Sequence, residues 1–165
     1  MNKNILLIVL LALIVVLGLA GCSSGKEQTT NPELEQSTSS ITAKNKIIVY
    51  KSQYCGCCSG YISYLKQQGF DVESVEASED LSSIKSKYGI PDAMESCHTS
   101  VIGDYFIEGH VPVEAINKLL NEKPTVNGIA LPGMPPGAPG MPGQMLGNIQ
   151  IYSVTNRVVS EFDYK

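Results

Sequence analysis

Three cysteines fall within four residues, Cys55-Gly56-Cys57-Cys58, a spacing that sets their sulfurs side by side. A fourth, Cys97, stands beside His98 in Ser96-Cys97-His98-Thr99, and the only other histidine, His110, lies in Gly109-His110-Val111-Pro112. The window 55–110 therefore holds four of the five cysteines and both histidines. Such a set belongs to a soft-metal site or to thiol redox chemistry.

Two chemistries compete for these residues. Cys55-x-x-Cys58 has the spacing of a thioredoxin-type pair, and a helix N-terminus behind it would stabilise a thiolate. Disulfide exchange needs only that pair and leaves Cys57 and Cys97 without a task. Metal binding uses all four. Thiolates select Cu(I) or zinc, but one zinc ion takes ligand pairs separated by two or more residues. The adjacent Cys57 and Cys58 suit bridging between several Cu(I) ions better. Met134, Met141 and Met145 add thioethers, and His98 and His110 add imidazoles, a mixture that favours copper over zinc. For the methionines the ordinary role is filler; for His110 it is packing at a helix start. A pair of structural disulfides, or a structural zinc site, is the bland reading of the cysteines. Tyr54 and Tyr61 are expected to wall the site, and Glu108 to make a hydrogen bond.

The elements that must position these groups follow from periodicity. Lys46 to Tyr50 reads as a buried strand. Ser59 to Gln68 reads as a helix with Ile62 and Leu65 inward and Gly69 as its stop. Phe70 to Val75 alternates as a strand. Ser78 is placed to cap a helix with Glu79 and Asp80 in its first turn and an apolar stripe of Leu81, Ile84 and Tyr88. Thr99 to Ile102 and Tyr105 to Glu108 read as a hairpin around Gly103-Asp104. Pro112 opens a last helix that buries Ile116, Leu119 and Leu120, with a Glu114–Lys118 pair on its face. The order β-α-β-α-β-β-α is that of a mixed α/β, thioredoxin-like domain over 45–123, with the cysteine motif between the first strand and first helix.

Residues 124–147 are dense in proline and glycine and repeat Pro-Gly-Met-Pro at 132–135 and 139–142. The segment is expected to be a wrap or loop, neither helix nor central strand. A short hairpin is expected over 148–165, with strands Gln150 to Val154 and Arg157 to Phe162.

The N-terminus carries Lys3 and then an apolar run from Ile5 to Ala20, ending Leu19-Ala20-Gly21-Cys22. This is the layout of a secretory leader over 1–21, with an uncleaved membrane anchor as the alternative, and small residues before Cys22 resemble a prokaryotic lipoprotein box with Cys22 as the lipidated residue. The run has 16 residues, short for a span of about 20. Residues 22–44 form a polar tether with a mean reach of about 25 Å. The expected location is extracytoplasmic, on a membrane through the lipid. The net charge is −4, one unit more negative without Lys3, which argues against nucleic acid as a partner.

Together Tyr50-Lys51-Ser52, Cys55-Gly56-Cys57-Cys58, Gly89-Ile90-Pro91, Ser96-Cys97-His98-Thr99, Glu108-Gly109-His110-Val111-Pro112 and the Pro-Gly-Met-Pro segment resemble the bacterial domain of unknown function 411. That family comprises small exported proteins linked to copper resistance. The resemblance covers about 46–145. It implies a thioredoxin-like fold and a multinuclear copper–sulfur site. Cys55, Cys57, Cys58 and Cys97 would be its thiolates, with His98 and His110 as nitrogen ligands or their supports. It also implies interconversion of Cu(I) and Cu(II), with copper exporters or chaperones as partner classes. Tyr61 stands where relatives often carry tryptophan, and Met145 lies in a stretch particular to this chain. The resulting expectation is a copper-binding protein serving copper tolerance. Thiol-disulfide oxidoreduction by Cys55 and Cys58 is the first alternative, and a structural zinc or disulfide domain the second.

Overall fold

A computed structural model describes residues 46–77 and 79–165. The leader, Cys22, the tether and Ser78 lie outside the described residues. The elements run β1 (Lys46–Lys51), α1 (Gly56–Gln67), β2 (Asp71–Glu76), α2 (Leu81–Lys87), a 3-10 turn (Asp92–Met94), β3 (His98–Ile102), β4 (Tyr105–Glu108), α3 (Val113–Glu122), β5 (Gly128–Ala130), β6 (Ile151–Thr155) and β7 (Val158–Phe162). The chain is thus a mixed α/β protein with the expected order through α3.

All strands join one sheet in the order β2-β1-β3-β4-β5-β6-β7. The β1–β2 and β4–β5 pairs are parallel and the rest antiparallel. Parallel neighbours need a crossover, supplied by α1 for the first pair and α3 for the second. The pairing of β1 to β4 conflicts with nothing in a thioredoxin-like arrangement. Among the described residues no helix is long and apolar enough to cross a membrane.

The first departure from expectation concerns the sheet. The proline- and glycine-rich stretch does contain a central strand, since β5 lies between β4 and β6. Its residues, Gly128-Ile129-Ala130, are proline-free and wholly buried, so every ladder donor is present. The overall composition of the segment hid this apolar patch. Residues 132–147 then form a strap over the site before the chain re-enters the sheet.

Strand alternation builds the core. Ile47 and Val49 of β1 are fully buried, with Tyr61 and Leu65 from α1 and Ile116 and Leu119 from α3 in the same cluster. Phe106 and Ile107 are successive on β4 and face opposite sides of the sheet. Ile107 joins the main cluster, whereas Phe106 packs with Ile90 and Val154 on the other face.

Helix details depart from expectation in ways that matter. α1 begins at Gly56, inside the cysteine motif, with Cys55 as its N-cap. The first turn of a helix has no internal acceptor to give up for its N–H groups, so a glycine there does little harm. α2 begins at Leu81 with Asp80 at its cap, leaving Glu79 and Asp80 ahead of the helix. Its buried residue is Lys85, while Leu81, Ile84 and Tyr88 are only half-buried. On α3, Lys118 pairs with Glu122 at 3.7 Å in place of the expected Glu114. The terminal hairpin turns one residue later than expected, at Asn156-Arg157, both with positive φ.

The strap meets α1 backbone to backbone. A Cβ placed on Gly60 would stand 3.2 Å from the Gly140 carbonyl carbon and closer to its oxygen, and a Cβ on Gly140 would run into the main chain of Gly60 and Tyr61. Only glycine at both positions permits this approach.

Candidate functional site

The cysteine motif lies where β1 gives way to α1. Cys55 caps the helix, and Cys57 and Cys58 occupy its first turn. The N-terminal ends of peptide dipoles therefore converge on these sulfurs and favour negative charge there. Cys97 precedes β3 and His98 is the first residue of that strand, paired with Lys51 at the end of β1. His110 follows β4.

These residues converge. Cys57 Sγ lies 3.6 Å from both Cys55 Sγ and Cys97 Sγ, and 3.7 Å from Met134 Sδ on the strap. Cys58 Sγ is 3.8 Å from Cys97 Sγ. His98 Nδ1 stands 3.5 Å from Cys58 Sγ and 3.4 Å from Cys97 Sγ, while His110 Nε2 is 3.9 Å from Cys97 Sγ. The four cysteine sulfurs lie within 4.8 Å of one another, as do the donor atoms of Cys97, His98 and His110. Cys97 thus belongs to a sulfur group and to a mixed sulfur–nitrogen group. Cys55 and Cys58 are joined by a disulfide, and Cys57 and Cys97 are free.

His110 Nδ1–H donates to the Pro139 carbonyl at 2.7 Å, which leaves the Nε2 lone pair on the side of Cys97. Tyr61, fully buried, packs its ring 4.9 Å from His98 and 5.0 Å from His110, and its hydroxyl donates to the Val111 carbonyl at 2.9 Å. It is the expected wall. Tyr54 is 86% exposed and so faces solvent rather than lining the site. Met141 and Met145 pack against the hydrophobic core, the filler role, so Met134 is the methionine brought to the cysteines.

Burial tunes the protons. It pushes His98 down to about 3, helped by His110 and Lys85, and holds His110 below its usual value. Both imidazoles are therefore neutral near pH 7 and able to donate lone pairs. Burial, then the Cys57 thiol, pushes Cys97 up to about 12, so Cys97 is a thiol until an electrophile displaces its proton. The donor set of thiols, a thioether and neutral imidazoles suits a soft cation.

Sequence reasoning missed two contributors. Lys85 contacts buried Glu108; the signal was a lysine at the i+4 position from Leu81 on an apolar stripe, with an unmatched acid at a strand end. The Pro139 carbonyl is a main-chain atom and has no sequence signature.

Residues 94–141 match the family described as Protein of unknown function, DUF411. Two solved structures are similar to the chain. One, titled Copper resistance protein copG- Form 1, is 40% identical with a TM-score of 0.61 and covers 71% of this chain and 96% of its own. The other, Copper resistance protein copG- Form 2, is 39% identical with a TM-score of 0.62 and covers 72% and 98%. A comparison with curated proteins found no match.

Proposed function

Because the chain belongs to the DUF411 family, we propose that it is an exported, membrane-anchored protein. It binds Cu(I) through the thiolates of Cys55, Cys57, Cys58 and Cys97 and so serves copper tolerance. The observation that carries this reading is the four sulfurs within 4.8 Å of one another, drawn from two segments far apart in sequence. Support comes also from two structures whose titles name copper resistance proteins.

Copper here is cargo. Opening the Cys55–Cys58 disulfide consumes two electrons and two protons and yields two thiols, after which four sulfurs are available. Cys57, flanked by Cys55 and Cys97, is the natural bridging sulfur. Met134, His98 and His110 complete the donor set, from the strap, the start of β3 and the turn after β4. Closing the disulfide in the other direction releases two electrons and two protons, enough to reduce two Cu(II) to two Cu(I). An exporter or chaperone for copper is the partner class this cargo requires. The anchor is the lipid on Cys22, with residues 22–44 as tether; partition into detergent should be lost in Cys22→Ala.

The test is elemental analysis with thiol counting on the reduced full chain, purified anaerobically in detergent and supplied with Cu(I). More than one copper per chain, with all four thiols protected from alkylation, is expected. Cys57→Ser with Cys97→Ser should abolish loading and spare exchange at Cys55 and Cys58; loading that survives both changes refutes the cluster.

The Cys55–Cys58 disulfide at the N-terminus of α1 favours a second reading, thiol-disulfide exchange. It gains ground if the chain takes up no metal and exchanges rapidly with a model disulfide.

A further inference from the structure

Glu108 ends β4 with its side chain fully buried, beside a lysine that is almost as buried. Its Oε1 accepts from the Lys85 ammonium and, at 2.5 Å, from the Ser96 amide; its Oε2 accepts from the Thr99 hydroxyl at 2.6 Å. Lys85 also donates to Thr99 Oγ1 at 3.2 Å. A buried ion pair is a poor way to stabilise a fold, because apolar side chains of the same size often do as well or better. What this pair does that apolar residues could not is grip a turn. Ser96 is held through its main chain and Thr99 through its side chain, and between them stand Cys97 and His98.

We propose that Glu108, held in place by Lys85, is a positioning residue that clamps the Cys97-His98 dipeptide against the cysteine loop. This rests on the copper-site reading for its purpose, though the clamp can be tested without metal. Glu108 touches neither cysteine. It fixes the residues on either side, so that Cys97 Sγ stays within reach of Cys57 and Cys58 on a different element.

Two double variants remove the charge pair while differing in the acceptor. Lys85→Met with Glu108→Gln keeps an oxygen for the Ser96 amide and offers an NH2 that the Thr99 hydroxyl can accept from, whereas Lys85→Met with Glu108→Leu keeps neither. In the reduced, metal-free full chain, alkylation of Cys97 read by peptide mass spectrometry should be about tenfold faster in the leucine variant than in the glutamine variant. That is the scale of one lost hydrogen bond to a buried group. Equal rates overturn the clamp. Should the leucine variant fail to fold, the wild-type chain still decides. Exchange of the Ser96 amide should be as slow as that of the β3 amides, and exchange at loop rates overturns the proposal. Copper uptake by the wild-type chain reports separately. No uptake refutes the copper reading, while the alkylation contrast and the Ser96 amide still decide the clamp.

Discussion

Replacing Gly60 by alanine should destabilise this protein, against the usual sign for a glycine inside a helix. Gly60 lies mid-way along α1, where alanine gains about 1 kcal/mol in helix propensity. The new methyl group, however, would meet the Gly140 carbonyl, 3.2 Å from its carbon and 3.4 Å from its Cα. These are main-chain atoms of a strap that cannot yield by rotating a side chain. Overpacking of this kind costs about 1–3 kcal/mol, with contact against rigid main chain at the upper end, so the net loss is up to about 2 kcal/mol once the helix gain is subtracted. Gly56 supplies the control: it is in the same helix, and a Cβ there meets nothing within 4 Å. Urea denaturation of the reduced, metal-free chain, followed by circular dichroism, should rank Gly56→Ala at or above wild type and Gly60→Ala below it. If the strap shifts to relieve the clash, the Pro139 carbonyl beside it moves from His110, and copper affinity falls as well. A Gly60→Ala chain as stable as Gly56→Ala would refute the backbone contact and the inference that the strap is seated on α1.

Tyr61→Phe should cost about 1–2 kcal/mol in urea denaturation, because the buried Val111 carbonyl loses its donor, while copper stoichiometry stays unchanged. Met134→Leu conserves volume and should leave stability alone, but weaken Cu(I) binding by up to about tenfold in competition with a chromophoric chelator, since one thioether near Cys57 is lost. In the metal-free chain, His98 should stay neutral until about pH 3 while its unfolded counterpart protonates near pH 6.5. Between those values the unfolded state binds more protons, so stability falls as pH drops through that window and is indifferent to His98 above it. Imidazole NMR shifts at pH 5 check this, and a His98 titrating near 6.5 would contradict its burial.

What could be read from residues alone was whatever has a side-chain pattern. The Gly103-Asp104 turn fixed the β3–β4 hairpin, the alternation of Ile47 and Val49 marked β1, and the cysteines and histidines announced the site by type. Lys85 was hidden because a lysine is ordinarily solvated, and its burial depends on an acid on another element. β5 was hidden because Ile129 and Ala130 sit among prolines and glycines that dominate any average over the segment. The start of α1 was misplaced because Gly56 reads as a breaker although it occupies the one turn where breaking costs little. The grip of Pro139 on His110 came from an atom every residue possesses.

The strap reaches the site from the far side of β5 in the chain, so the groups arrive in a fixed order during synthesis. The cysteines of α1 emerge first, Cys97 and both histidines next, and the carbonyl that orients His110 last. A nascent chain halted after α3 would own every sulfur of the cluster but lack Met134, the His110 latch and the strand that covers the β4 edge. Assembly of the full donor set therefore waits on the last part of the chain: without the strap the four cysteines lack the Met134 thioether and the Pro139 carbonyl that orients His110.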